Sequence, residues 1–305
     1  MAISTYAELL TAIQNYEDDT SSIVSDRQAE WVTLCEQRVH YGSGRPSSAF
    51  YSPALRVRPM EQGFTLRAQL AEDGGTSGGS ADAQTLTMTA PTVALGLTLT
   101  FIAGFTNTGA TTLQPTGGSA VAIRKGVNND ALEAADIVLG ASYTVYYDGT
   151  YYKLMPGPGG IPLPARFLGF KSIYDDASTN RPLDFVAGHH LNSMDGSNSA
   201  GAPRAYTIEG DVLRLVPPPD GTRFLRGIYY RRFNALSTEV NELFRRAPSI
   251  YLYGSLLEAA IYLAEDDNVA KWHGLYMSAC QGVADSDKAD RYGAGPLQMR
   301  APVVV

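Results

Sequence analysis

Apolar residues recur at helical spacing at both ends of this chain and alternate with polar ones between. Residues 4–17 place Tyr6, Leu9, Leu10 and Ile13 on one helical face. A second helix is predicted from Ser25, where Ser25-Asp26-Arg27-Gln28 has the form of a capping box. Its stripe is Trp31, Leu34, Cys35 and Val39, and Gly42 and Gly44 end it. Residues 63–70 then alternate strictly, as a strand with one buried face does. Further strands are predicted over 166–175, 181–187, 205–208, 212–216 and 222–233, the third and fourth joined as a hairpin through Glu209-Gly210-Asp211. Three helices follow: about 238–246, capped by Ser237 or Thr238; about 248–265, apolar nearly all round; and about 268–286. Trp31, Leu34, Leu256, Leu257, Ile261, Trp272 and Tyr276 are the expected helical core.

Between Gly74 and Gly160 the texture changes to Thr, Gly, Ala and Tyr with few charges. The stretch opens on Gly74-Gly75-Thr76-Ser77-Gly78-Gly79-Ser80 and closes on Pro156-Gly157-Pro158-Gly159-Gly160, both of linker composition. Short strands are predicted at 85–89, 97–101 and 143–147, with turns at Asn107-Thr108-Gly109 and Asp148-Gly149-Thr150. The expected fold is therefore α+β. A discontinuous core, residues 1–73 plus 161–292, is read as an α-helical bundle with a small β-region. Residues 74–160 form an inserted all-β sandwich or barrel, and 293–305 an extended C-terminal tail.

Composition narrows the function. The net charge of -7 is spread along the chain, and no basic run offers a phosphate-gripping face. Cys35 and Cys280 lie on helix stripes without CxxC spacing and are expected as buried free thiols in a reducing compartment. The start of the chain has no signal-peptide pattern. Ala247 to Ala264, with Pro248 and Glu258, suits a buried helix better than a membrane span.

The usual catalytic signatures are missing from the sequence. His189-His190 sits in a polar loop, and adjacent histidines point apart. Glu265-Asp266-Asp267 is read as negative charge for a helix N-terminus, and Asp175-Asp176 as turn residues. No Walker loop, Gly-x-Ser-x-Gly elbow or His-Glu-x-x-His occurs. Tyr147, Tyr151 and Tyr152 cluster at one turn and are the candidate outward contact surface of the insert.

Four stretches carry a resemblance. Tyr6-Ala7-Glu8-Leu9-Leu10 through Arg38, Ile161-Pro162-Leu163-Pro164-Ala165-Arg166-Phe167-Leu168, Leu243-Phe244 through Asp266, and Gly295-Pro296-Leu297-Gln298-Met299-Arg300 follow one another in order. Together they resemble the head-to-tail adaptor (connector) proteins of tailed bacteriophages. Separately, Phe105-Thr106-Asn107-Thr108-Gly109, Ala135-Asp136-Ile137-Val138 and Tyr147-Asp148-Gly149-Thr150 resemble a β-module of phage tail fibres and spikes, whose usual Gly before that Asp is here Ala135.

The adaptor resemblance implies a non-enzymatic virion protein without cofactor or metal, assembled in the host cytoplasm and placed at the neck. It implies a homo-oligomeric ring, usually of twelve, beneath the portal protein. The ring would extend the DNA channel and dock a tail tube, nozzle or terminator protein, with tail fibre proteins as a further partner, while genomic DNA passes without specific binding and no membrane is involved. The tail residues Gly295, Pro296, Leu297, Gln298, Met299, Arg300, Val303, Val304 and Val305 are the expected portal-docking element. Two other classes fit the residues: a glycan- or fibre-binding surface protein acting through the insert, and an enzyme on cell-wall or capsule sugar.

Overall fold

The computed structural model describes residues 3–17, 22–68, 71–89, 91–126, 128–155, 160–164, 166–177, 182–190, 200–210, 212–221 and 223–292. The chain opens with α1 (Tyr6–Glu17) and α2 (Ser22–Tyr41), then a 3-10 turn at Arg58–Met60. Ten strands follow: β1 (Glu61–Ala68), β2 (Glu72–Thr76), β3 (Gly78–Ser80), β4 (Ala83–Leu86), β5 (Thr98–Ile102), β6 (Thr112–Pro115), β7 (Val121–Lys125), β8 (Asp130–Ala131), β9 (Ser142–Tyr147) and β10 (Tyr152–Met155). Six more are β11 (Gly160–Pro162), β12 (Phe167–Asp175), β13 (Asp184–Phe185), β14 (Ala205–Glu209), β15 (Val212–Val216) and β16 (Arg223–Arg231). The described chain closes with α3 (Glu242–Arg246), α4 (Pro248–Tyr262) and α5 (Asp266–Tyr292).

This overturns the expected fold class. The fold is β-rich, with its strands in mixed sheets, and has no helical bundle core with a small β-region. The helical periods at the termini were conspicuous, whereas many strands are only two to five residues long and rich in Gly and Thr, so alternation could not show. Two compact units result: residues up to Glu61 together with those from Arg232, and residues Gln62–Arg231.

In the helical unit, α1 begins on a capping box that sequence reading passed over. Glu8 N–H donates to Thr5 Oγ1 at 3.2 Å, and Glu8 Oε2 accepts from Thr5 N–H at 3.1 Å. The box expected at Ser25 is absent because α2 starts earlier, at Ser22. Leu9, Ile13, Trp31, Leu256, Leu257, Trp272 and Tyr276 are buried, but Leu34 and Ile261 are 40% and 50% exposed. Helices α2 and α4 meet closely at Gly254, where a Cβ would lie 2.3 Å from Cys35 Sγ. Asn241, not Ser237 or Thr238, caps α3: its Oδ1 accepts from Phe244 N–H at 2.9 Å, and its Nδ2 donates to the Tyr251 hydroxyl at 3.0 Å.

In the other unit, nine strands make a sheet ordered β2-β5-β9-β10-β7-β6-β4-β3, with β8 on β7. Its first and last members, β2 and β3, are consecutive in the chain and joined by Ser77, so the sheet curls nearly closed like a barrel. Ser77 fastens the bend. Its N–H donates to Ile102 O at 2.8 Å, and its Oγ accepts from Gly104 N–H at 2.8 Å. The Gly-rich run at 74–80 is thus strand, not coil. Gly79, at φ 90°, has Ala83 O only 2.3 Å from where a Cβ would be. The closing run at 156–159 lies outside the described residues. Leu86, Leu99, Phe101, Leu113, Ile123, Val145 and Tyr152 fill the sheet's own apolar cluster. A second cluster, including Tyr146, Met155, Ile161, Ile173, Tyr206 and Leu213, joins the strands β1-β16-β12 and β11-β15-β14-β13.

Candidate functional site

Around one end of the curled sheet, Asn107 pins two loops together. It is buried; its Nδ2 donates to Gly109 O at 2.7 Å and Glu133 O at 2.8 Å, while Oδ1 accepts from Ile137 N–H at 2.8 Å. All its hydrogen-bonding directions of consequence are used, which fixes the loops rigidly. Those loops present Phe105, Val138 and Leu139 to solvent, Leu139 at 62% exposure, and Ile102 at the end of β5 is exposed as well. Leu139 N–H donates to Thr106 Oγ1 at 3.0 Å, which holds the two loops side by side. Exposed apolar residues grouped in this way mark a contact surface more often than scattered ones do.

The same corner contains Ala135 with φ 66°. A side chain there costs energy that glycine does not. Asp136 accepts from Glu133 N–H at 2.6 Å and pairs with Lys125 at 2.8 Å, which holds the turn despite that strain. Ala135→Gly is expected to raise stability by about 0.5–1 kcal/mol, read as an upward shift of the urea midpoint; a downward shift would show that Ala135 is not strained.

The three tyrosines of the candidate contact surface are not equivalent. Tyr152 is fully buried and belongs to the core of the curled sheet, because β10 turns its even-numbered position inward. Tyr147 and Tyr151 are half-buried. The Tyr147 hydroxyl donates to Gly149 O at 2.9 Å, and Arg124 stacks over Tyr151 at 5.1 Å. Asp148 Oδ1 accepts from Thr150 and Tyr151 N–H at 2.8 and 2.7 Å, forming the expected turn.

Next to this turn runs a groove of about 880 Å³ in the β unit. Arg67, Lys125 and Lys153 line it with Asp148, together with Tyr143, Tyr146 and aliphatic residues. Burial and then the nearby Asp148 push the Tyr146 hydroxyl up to about 12.

The remaining candidates take structural places. His189 and His190 are exposed, and no group of three His, Cys, Asp or Glu suited to a metal occurs among the described residues. Glu265 O accepts from Asn268 and Val269 N–H, so Asp266 and Asp267 do lie in the first turn of α5. Asp175 is not merely a turn residue: it is buried and pairs with Arg223 at 3.0 Å. Cys35 and Cys280 are free thiols, Cys35 buried and Cys280 partly so; burial raises both, Cys280 to about 11. Among the described residues no helix is long and apolar enough to cross a membrane. The tail residues 293–305 lie outside the described residues.

One buried histidine is tuned to stay neutral. His40 Nε2 accepts from Phe233 N–H at 3.2 Å. Burial, then Arg232 and Arg56, lower its pKa to about 4. An unfolded chain takes up that proton near pH 6.5, so the unfolded state binds more protons in the interval between. Stability is therefore full above about pH 6.5 and falls by up to about 3 kcal/mol as pH drops to 4. His40→Gln should flatten this part of the profile in urea melts at pH 7.5 and 4.5; an unchanged slope would place the effect elsewhere.

Compared with known families, residues 126–300, more than half of the chain, match the family described as SU10 adaptor protein. The chain belongs to the SU10 adaptor family. The match begins at Gly126, directly after β7, and runs through β8–β16, α3, α4 and α5 as far as Arg300. Helices α1 and α2 and most of the curled sheet precede it. The resemblance to phage adaptors thus holds at family level, and the adaptor's role as a structural phage protein goes with it. No curated protein matches the chain.

Proposed function

We propose that this adaptor works at the head–tail junction of a tailed phage, as a dodecameric ring beneath the portal that continues the DNA channel and receives the tail. The observation that carries the reading is the family match, which extends through α5 and includes Gly295-Pro296-Leu297-Gln298-Met299-Arg300. A closed ring needs heterologous contacts that return on themselves by rotation. In this reading the protein positions partners and catalyses nothing. Its net charge of -7 supports a lumen that DNA traverses without adhering.

The tail from Gly293 onward is the portal-docking element in this reading. Gly293, Gly295, Pro296 and Pro302 oppose a continuing helix, and three terminal valines favour an extended strand. Laid on a portal subunit as an added strand, it would gain main-chain hydrogen bonds while Leu297, Met299 and the valines fill pockets. Truncation after Tyr292 tests this: the shortened protein should fold, fail to join portals, and leave filled heads that leak DNA. Normal attachment by the truncated protein would overturn the docking role.

A further inference from the structure

We infer that residues 283–292, the end of α5, are a detachable strap that unwinds at Gly282 and lengthens the docking tail. That the strap can detach is a property of the helical unit alone; its use in docking rests on the portal reading above.

The stretch is a poor helix former by composition. Gly282 precedes it inside the helix, where a Cβ would meet nothing within 4 Å, so packing does not require glycine there. Asp285, Ser286, Asp287 and Asp290 follow, all residues of low helical preference. The aspartates also face the negative end of the helix, with Arg291 as the basic residue of the last turn.

Apolar burial does not hold it either. Upstream, Trp272 and Tyr276 are buried, and Val283 and Ala284 are half-buried. Beyond Ala284, Asp287 is buried, while residues 285, 286 and 288–290 are exposed. The end of α5 is fastened by charge instead. Asp287 Oδ2 accepts from Arg58 N–H at 3.2 Å, and from Arg291 Nε and Nη2 at 3.0 and 2.7 Å. Arg291 also pairs with Glu61, and Arg246 of α3 with Asp290 at 3.6 Å. That last pair is 37% and 43% exposed, so water and salt weaken it. Asp287 is the inner fastening, tying the strap to the turn at Arg58–Met60.

A segment held by a few polar contacts opens more readily than the packed helix before it. Unwinding residues 283–292 into extended chain would add about 18 Å of reach to the tail. A portal that binds the extended form would draw the strap into it.

Hydrogen–deuterium exchange by mass spectrometry on the full-length protein tests this. Amides of 285–292 should exchange about tenfold or more faster than those of 268–280, and faster again at high salt. Asp287→Asn should speed 285–292 by about tenfold and leave 268–280 within about twofold. Gly282→Ala should slow 285–292, and decides the matter if Asp287→Asn does not fold. Equal protection of the two stretches, an unchanged rate in folded Asp287→Asn, or equal acceleration of both would overturn the inference. So would an unaltered rate in Gly282→Ala. Loss of portal attachment on truncation after Tyr292 is read independently of exchange, so strap and docking tail fail separately.

Discussion

Replacing Trp272 by alanine is expected to cost about 3–5 kcal/mol of stability. The side chain is 5% exposed on α5. It stacks on Tyr253 of α4 at 6.1 Å and 18°, and meets Tyr16 of α1 edge-on at 6.0 Å and 78°. Lys271 Nζ lies 4.1 Å from its ring centroid. One residue thus links three helices, and its loss removes buried area and two ring contacts together. A domain with ordinary stability of about 5–15 kcal/mol would be brought near its threshold. Trp272→Phe, which keeps a ring, should cost markedly less. Urea denaturation of both variants checks this, and a loss below about 1 kcal/mol for the alanine variant would mean that the three helices do not rely on this contact.

Glu258→Ala is expected to be as damaging, about 3–5 kcal/mol, for a different reason. Arg38 Nε donates to Glu258 Oε1 at 2.8 Å, and its Nη2 lies 2.6 Å from the same oxygen. The side chains are only 7% and 12% exposed. Without the carboxylate, the guanidinium stays buried with Ser52 Oγ, at 3.4 Å, as a weak neutral acceptor. The pair itself adds little over an apolar replacement, because both charges lost their hydration on burial. Replacing both residues by Met should therefore recover most of the loss, and the double-mutant cycle measures that recovery. Equal instability of the single and double variants would show that packing, not the stranded charge, is responsible.

Much of the helical unit was legible because a 3.6-residue period sustained over long segments survives local exceptions. The last two helices end at Tyr262 and Tyr292 rather than near 265 and 286, and Trp31, Trp272 and Tyr276 are buried as the pattern predicts. Leu34 and Ile261 failed because an apolar residue at the border of a stripe can face water as easily as core. The β unit was harder. Its long strands β12 and β16 and the β14–β15 hairpin were readable from alternation and turn residues. The Gly74–Ser80 run was not, since glycine composition signals a linker and a tight strand crossing equally well. That single ambiguity concealed the closure of the curled sheet and helped give the wrong fold class.

The site shows the same division. Turn chemistry at Asp148 could be read from Asp-Gly-Thr, but nothing in the sequence reveals that Tyr152 points inward while Tyr147 and Tyr151 are half-buried. Pairs such as Arg38–Glu258 and Asp175–Arg223 join residues far apart in the chain. No local pattern marks them. The groove is also a product of three sheets meeting, with Arg67 and Lys153 brought together from strands that sequence alone could not place side by side.

The most direct measurement is a cryo-EM reconstruction of the neck of the phage that encodes this adaptor. A junction role predicts a closed ring of this chain between portal and tail, with density for residues 293–305 running along portal subunits and an open lumen. Finding the protein elsewhere on the particle, or a neck whose portal meets the tail without it, would contradict that role.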